Sequence, residues 1–410
     1  MIQYIFLTTL IILLCFFVCI KIAYPFWNNQ PVFHSYDFWR FFYTDPFIIY
    51  KYGPVKTKYC NFNQIVTIPY SELKEQHIKN ITYFLQCNYI TADKILHTCQ
   101  TKDLDATYTG YVDPCYVSFY YEKNFEKSEE EDKSKLFDGV VLSRPSKMYY
   151  KISSYSEMYK ELPLYNIDII CVNKSRNKKK ISRELLQTHE YNQRNKSKNI
   201  EASLIKKEID LFDGVIPLTE YSTYVYHLKN IHFPKLPSRF HILNITVENI
   251  DIVTEFLYLQ SHTDISNSKK LFNIIVLLDS GAYIKQIKEK QLFVYCLRCE
   301  DAIYGVYFFK DAKMQYEDNE GNTLQCISSV MNCNSINLFY LGFLYSMQEI
   351  IKGSRDYKIL LIENIAHNNF ILENWRKSNT AVFINDTAYY SYNFIYPSSP
   401  ITSNNCLIVQ

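Results

Sequence analysis

The sequence contains little glycine and proline, with 9 Gly and 13 Pro among 410 residues. This scarcity, with 48% hydrophobic and 21% charged residues, excludes collagen-like, linker-like and globally disordered chains. An excess of charge of one sign is also lacking, because 44 Lys and Arg stand against 42 Asp and Glu. No whole-molecule field therefore recruits nucleic acid. At ~150 residues per domain, the length predicts two to three folded domains.

The familiar chemical signatures are missing as well. Twelve cysteines are scattered without a legible disulfide framework. The one close pair, Cys296 and Cys299, lies in an apolar run typical of a strand, and no second pair of ligands follows, so we expect no metal site. There is no Walker loop, G-x-G-x-x-G or G-x-S-x-G, and the segment His189–Gln193 misses the zincin pattern because its fifth residue is Gln.

The first twenty residues differ from the rest. Ile2–Ile20 carries no charge and as a helix would span ~28 Å, about one hydrocarbon core. Lys21 and the aromatic Tyr24, Phe26 and Trp27 follow it, where a signal peptide would have a small-residue cleavage site. The pattern predicts an uncleaved single-pass anchor with the body on the cytoplasmic side. The alternative is a buried hydrophobic helix.

The body alternates short strands and helices, which predicts an α/β protein. An acidic segment at 126–133 indicates a solvated loop between two strands. A proline-containing stretch, 233–238, precedes a fresh α/β pattern and predicts a boundary there. We therefore expect an anchor over 1–24, a first half over 25–238 and a second half over 239–410.

One constellation carries chemical information. The segment Tyr165–Val172 predicts a strand, Asn173–Lys180 a loop with five Lys or Arg, and Ile181–Glu190 a helix. A helix N-terminus presents unpaired N–H groups, and nearby cations deepen the positive potential, so a pyrophosphate is a natural ligand. On physics alone, a solvated basic turn or a nucleic-acid patch fits equally well.

This segment resembles the N-myristoyltransferases, in which it reads N-F-L-C-V-H-K-x-L-R-S-K-R-L, with an identical Cys-Val-x-Lys core. Further similar motifs occur along the chain in the same order as in the family, and together they span about residues 35–410. They are Tyr36–Trp39 (Y-x-F-W), Phe84–Ile90 (L-L-N-E-N-Y-V), Gly139–Pro145 (G-F-I-S-A-I-P), Gly214–Leu218 (G-V-V-L-P) with Thr223–Tyr226, Tyr389–Asn393 and Cys406–Gln410 (G-L-V-L-Q). The family's G-x-G-D-G turn has no glycine here, at Thr380–Asp386.

The resemblance implies a fold class of α/β (α+β), with two tandem GNAT-type acyltransferase halves around mixed, mostly antiparallel sheets. It also implies a reaction, transfer of myristate from myristoyl-CoA to an N-terminal glycine amine. The oxyanion donors would be the backbone N–H groups of Ile169 and Ile170, and the base would be the terminal carboxylate of Gln410. Myristoyl-CoA would contact Asp37, Phe38, Trp39, Cys171, Val172, Lys178, Lys180, Ile181 and Ser182, and the peptide would contact Tyr89 and Tyr226.

The implied partners are myristoyl-CoA as co-substrate, N-terminal glycine peptides, and the membrane through residues 2–20. No permanent cofactor and no nucleic acid are expected, and the protein would be a monomer. Two other classes stay open. One is a different or degenerate GNAT-type protein that binds acyl-CoA, and the other is a membrane-anchored interaction protein without catalysis.

Overall fold

The computed structural model describes residues 2–90, 95–121, 137–152, 158–229, 231–262, 272–316, 321–353 and 356–410. The helices within these ranges are α1 Ile2–Ala23, α2 Glu75–Asn88, α3 Thr101–Tyr108, α4 Lys178–Lys196, α5 Asp251–His262, α6 Ser280–Lys288, α7 Ile336–Lys352 and α8 Asn368–Trp375.

The strands alternate with these helices along the chain. They are β1 Phe47–Ile48, β2 Ile65–Pro69, β3 Ile95–His97, β4 Tyr116–Tyr120, β5 Gly139–Lys151, β6 Tyr159–Val172, β7 Ala202–Glu208, β8 Thr219–His227, β9 His241–Ile245, β10 Ile274–Leu277, β11 Leu292–Cys299, β12 Ala302–Tyr316, β13 Asn322–Met331, β14 Tyr357–Glu363, β15 Phe383–Tyr392, β16 Phe394–Ile395, β17 Ile401–Thr402 and β18 Cys406–Val409.

In the described ranges one mixed sheet holds sixteen of the strands, and β1 with β16 forms a separate pair. Its main path runs β18-β10-β5-β6-β7-β15-β8-β14-β13-β12-β11-β9. Strands from both sides of residue 238 are interleaved, since β10 pairs with β5 and β15 lies between β7 and β8. Four strand pairs are parallel and the others are antiparallel. The predicted mixed, mostly antiparallel α/β architecture is confirmed, while the division near 238 stays a prediction.

The helix after β6 begins earlier than the sequence predicted. It begins at Lys178, not at Ile181, because the side chain of Asn177 caps it by accepting a hydrogen bond from the Lys180 N–H at 3.1 Å. Three lysines assigned to the loop therefore belong to the first helical turn. The acidic segment predicted as a loop lies outside the described residues.

Helix α4 packs closely on the start of β5 and on β6. Its buried residues Ile181 and Leu185 form a core cluster with Val141 and Ile167. A Cβ on Gly139 would lie 2.7 Å from Leu185 Cδ1, so a larger residue there would require the buried Leu185 side chain to shift. Burying each such aliphatic side chain contributes about 1.5–3 kcal/mol.

Helix α1 leaves the body with most of its side chains exposed. Over Gln3–Ala23 its mean hydropathy is 2.8, and by length and composition it can cross a membrane. The C-terminal end of α1 packs on the body of the protein, because Ile20 is buried and the ring of Tyr24 stacks on Tyr36 at a centroid distance of 5.3 Å. Tyr24 also covers Gly214, where a Cβ would lie 2.6 Å from the tyrosine ring.

The last strand, β18, runs parallel to β10 at one end of the sheet path. All four of its residues are buried, and the hydroxyl of Tyr283 donates a hydrogen bond to the Val409 carbonyl at 2.9 Å. This strand carries Gln410 to the cavity described next.

Candidate active site

A cavity of about 230 Å³ lies where β6, β12, β14 and β15 meet the end of β18. Its wall is strongly charged. Among the described residues that line it, the carboxylates are Asp103, Asp168, Glu208, Asp311 and Glu363, and the cations are Arg144, Lys206, Lys310 and Lys313. His97 is neutral near pH 7, because burial lowers its pKa to about 4. The side chains thus carry a net charge of −1 when all four cations are protonated.

A β-bulge shapes one wall of the cavity. The β5–β6 register pairs Leu142 with Ile169 but Ser143 with Ile167, so Asp168 is the extra residue. Arg144 holds it through two bonds, Nε–Oδ2 at 2.6 Å and Nη2–Oδ1 at 3.1 Å. Burial alone would lower the pKa of Arg144, yet the Asp168 carboxylate raises it above its ordinary value. The bulge presents Ile169 to the cavity.

A second cluster surrounds Glu363 at the end of β14. Its buried carboxylate contacts Lys206 Nζ at 2.9 Å and accepts hydrogen bonds from Tyr221 and Gln325. Lys206 also contacts Glu208 at 2.9 Å. A buried carboxylate costs several kcal/mol unless it is paired and hydrogen-bonded, and this one is fully satisfied.

The opposite wall comes from β12 and α3. Lys313 contacts Asp103 at 2.9 Å and Asp311 at 3.1 Å. Lys310 precedes Asp311 and Lys313 on β12 and also lines the cavity. Burial is the main cause that lowers its pKa, to about 8.

The structure gathers three of the predicted catalytic and peptide-binding residues around this one cavity. Ile169, Gln410 and Tyr89 all line it, although they lie on β6, after β18 and after α2. Ile170 is the next residue along β6 and is half-buried. Tyr226 does not reach the cavity, because it is fully buried beside Trp375 in a different core cluster. Its predicted peptide contact therefore finds no support in the geometry.

The predicted acyl-CoA residues fall into three groups, at the start of α4, on a 3₁₀ turn and at the end of β6. Lys178 and Lys180 are exposed in the first turn of α4, next to half-buried Ser182 and buried Ile181. Phe38 and Trp39 lie on a 3₁₀ turn with 69% and 65% of their surfaces exposed, and Asp37 caps this turn by accepting from the Trp39 N–H at 2.9 Å.

Cys171 and Val172 are the last two residues of β6 and turn their side chains into the core. Both are 2% exposed, and they belong to core clusters on different sides of the sheet. Burial raises the pKa of the Cys171 thiol to about 12. This thiol is therefore neutral near pH 7 and is no nucleophile.

Sequence reasoning missed the charged wall as a site, including Arg144, Lys206, Lys310 and Glu363. A signal existed, since each interrupts an apolar strand with a charge, as Glu363 ends Tyr357–Glu363 and Lys310 follows two phenylalanines. A charge inside a buried strand is costly and marks a functional or structural site. The spacing of these charged residues along the sequence did not show which of them lie close together in the fold. Within the described ranges, no group of three metal-ligating side chains is arranged to hold an ion.

No family profile and no curated protein sequence matches this chain. Solved structures do match. N-myristoyltransferase of Saccharomyces cerevisiae with bound myristoyl-CoA superposes with a TM-score of 0.68 at 13% identity, over 94% of this chain and 99% of that one. The chain has the N-myristoyltransferase fold.

Two further structures of the yeast enzyme agree. One, with bound myristoyl-CoA, gives a TM-score of 0.67 at 12% identity over 93% of this chain and 90% of that one. The other, with myristoyl-CoA and inhibitors, gives 0.64 at 13% over 92% and 91%. The resemblance stated from the sequence motifs is thus confirmed at the level of the fold, with strong sequence divergence.

Proposed function

We propose that this protein transfers myristate from myristoyl-CoA to the amine of an N-terminal glycine. The observation that carries the proposal is the meeting of Ile169 and Gln410 at one charged cavity, within the N-myristoyltransferase fold. The first residue belongs to the strand expected to bind the thioester, and the second is the expected base.

The charge of the cavity favours an amine as the acceptor. Carboxylates outnumber cations along its wall, so a protonated amine is attracted and an anionic acceptor is not. Low dielectric surroundings strengthen this preference, because several of these groups are buried. With an ionised terminal carboxylate at Gln410 the wall would carry −2, and an N-terminal ammonium group would reduce this to −1.

The thioester carbonyl would accept hydrogen bonds from the backbone N–H groups of Ile169 and Ile170. Such donors stabilise the oxyanion of a tetrahedral intermediate by about 3 kcal/mol each. Backbone donors do not depend on the side chain, so Ile-Ile can replace the family's Phe-Leu here. Arg144 and Asp168 hold the bulge directly before these residues.

Acyl transfer would be direct, without an acyl-cysteine. The neutral, buried Cys171 cannot supply a thiolate, so the glycine amine itself attacks the thioester. A terminal carboxylate at Gln410, with an ordinary pKa of ~3.5, is ionised near pH 7 and can take a proton from the ammonium group.

The CoA moiety would lie along the start of α4. Its phosphates would meet the N-terminal N–H groups of the helix and the exposed Lys178 and Lys180, near Ile181 and Ser182. Exposed Phe38 and Trp39, with Asp37, would cover another part of CoA. The anchor over residues 2–20 would hold the enzyme, as a monomer, on the cytoplasmic side of a membrane.

The decisive experiment is an acylation assay with the purified protein, myristoyl-CoA and a peptide that begins with glycine. We expect an acylated product, and none from the same peptide with its amine acetylated. A thermal shift with myristoyl-CoA distinguishes the alternatives. Binding without transfer to any amine indicates a degenerate acyl-CoA-binding protein, and the absence of both indicates an interaction protein.

A further inference from the structure

Lys310 differs from the other lysines of the cavity in lacking an ion pair. Lys206 and Lys313 each contact two carboxylates at 2.9–3.1 Å. Among the residues that the structure describes, no carboxylate oxygen lies within 4.0 Å of Lys310 Nζ. Lys310 therefore lines the cavity without a carboxylate partner in the part of the chain that the structure describes.

Lys310 lies on β12, between β11 and β13 in the sheet. It pairs with Leu292 on β11 and Gln325 on β13, directly after the fully buried Phe309. The charged and titratable groups that influence it come from β5, β6, β7 and β14 and from the segment before α3. They are Arg144, Asp168, Lys206, Glu208, Glu363 and Cys99. Its own strand adds Asp311 and Lys313, which pair with each other.

We propose that Lys310, in its neutral form, is a catalytic residue that accepts a proton from the acceptor amine during acyl transfer. This inference rests on the proposed function. Two protons must leave the nitrogen. The first leaves the ammonium group before attack, and the terminal carboxylate is suited to take it. The second leaves after the C–N bond has formed.

Lys310 takes that second proton. The nitrogen lone pair forms the C–N bond, the C–S bond breaks, and its electron pair departs on the CoA sulfur as thiolate. The excess proton on the attacking nitrogen passes to Lys310 Nζ, the amide keeps its one N–H, and the proton on Lys310 is released to solvent when the product leaves. No oxidant or further reactant is required.

The environment supports this role. The pKa of Lys310 is lowered to about 8, mainly by burial and also by Arg144 and Lys206, while Asp168 and Glu363 oppose this shift. After the C–N bond has formed, the protonated nitrogen is more acidic than a free glycine amine, whose ordinary pKa is ~8, so transfer of its proton to Lys310 is favourable. General bases act best when their pKa lies near the operating pH. A carboxylate with a pKa of ~3.5 is a much weaker base for this step.

The test compares Lys310→Arg and Lys310→Met with the unchanged protein. Arginine keeps the positive charge but cannot be deprotonated, whereas methionine removes both charge and base. We expect both variants to lower kcat by ~10² or more while the myristoyl-CoA-induced thermal shift is unchanged. Lys358→Met, an exposed position on β14, is the matched control and should keep full activity.

Two further measurements complete the test. In the unchanged protein, ¹³C NMR of labelled lysine, assigned with Lys310→Arg, should show one amine that titrates near 8. Free methylamine should restore part of the peptide acylation of Lys310→Ala, in proportion to the unprotonated amine.

Retention of wild-type kcat by Lys310→Arg overturns the inference and leaves the proposed function standing. So does a titration of Lys310 near its ordinary value of ~10.4. If the unchanged protein acylates no glycine peptide, the proposed function fails and the role of Lys310 fails with it.

Discussion

Arg144 and Asp168 form a buried two-bond ion pair at the β-bulge that opens the cavity. Arg144 is 1% exposed, its Nη1 donates a third bond to the Tyr111 hydroxyl at 3.2 Å, and Asp168 immediately precedes Ile169. The pair therefore ties the stability of the fold to the conformation of the strand expected to bind the thioester.

Replacing Arg144 with Met should destabilise the protein by about 3–5 kcal/mol, because Asp168 keeps a poorly solvated, uncompensated charge. Urea unfolding measures this. The double variant Arg144→Met with Asp168→Leu should recover most of the loss, since apolar residues can replace a buried pair. Lys147→Met, which breaks the exposed pair with Glu161, is the control and should cost at most about 1 kcal/mol. Equal losses in both single variants would refute this account.

Replacing Lys178, Lys179 and Lys180 together with Ala should weaken binding of acyl-CoA. The loss should be largest at low salt, because exposed charges are screened above ~0.1 M. Calorimetric titration at two salt concentrations provides the measurement. A triple Ala variant of the exposed Lys352, Lys358 and Lys377 is the control for net charge and should bind normally. Normal CoA binding together with lost RNA or DNA binding in the first variant would favour the nucleic-acid alternative.

Extending the chain by a few residues beyond Gln410 should abolish acyl transfer and leave myristoyl-CoA binding nearly intact. The added residues would remove the terminal carboxylate and occupy the cavity of about 230 Å³. Extension is a cleaner test than removing 408–410, because Ile408 and Val409 are buried core residues whose loss would also destabilise the fold. Full activity in the extended protein would exclude Gln410 as the base.

Replacing Glu190 with Gln should stabilise the protein above pH 7. Burial raises the pKa of Glu190 from 4.5 to about 7, so its contribution to stability is fully present below pH 4.5 and is lost as the pH rises to about 7. At pH 8 the gain from Gln should reach about 3 kcal/mol, at 1.36 kcal/mol per unit. Chemical unfolding at pH 5 and pH 8 measures the difference. Glu248→Gln, at an exposed site, should change neither value.

Deleting residues 1–19 should release a soluble protein. The cut retains Ile20 and Tyr24, which contact the body, and removes most of the exposed apolar helix. Sedimentation of membranes from expressing cells distinguishes the two forms. Asn80, Asn244 and Asn385 each begin an Asn-x-Thr sequon. Glycosylation at any of them in the full-length protein would place the body in the lumen and contradict the cytoplasmic orientation.

The order of the elements was readable from the sequence because it depends on local patterns. The apolar run that forms α1, the strand at Tyr165–Val172 and the basic start of α4 follow from hydrophobicity and charge along consecutive residues. The motifs around Asp168 and Cys406 were sufficient to predict the family resemblance and hence the fold. The start of α4 was misplaced by three residues because the cap at Asn177 depends on backbone geometry.

The cavity was decided only by tertiary structure. Ile169, Lys310 and Gln410 are far apart in the chain and meet because β18 inserts beside β10 while β12 and β14 cross to the same region. A strand pattern shows which residues alternate, yet it does not show which strands become neighbours. Tyr226 illustrates the limit, because its motif did not show that its side chain is buried in the core beside Trp375. Pairing between strands that are far apart in the sequence brought the charged residues of the cavity together, and no local sequence signal encodes that pairing.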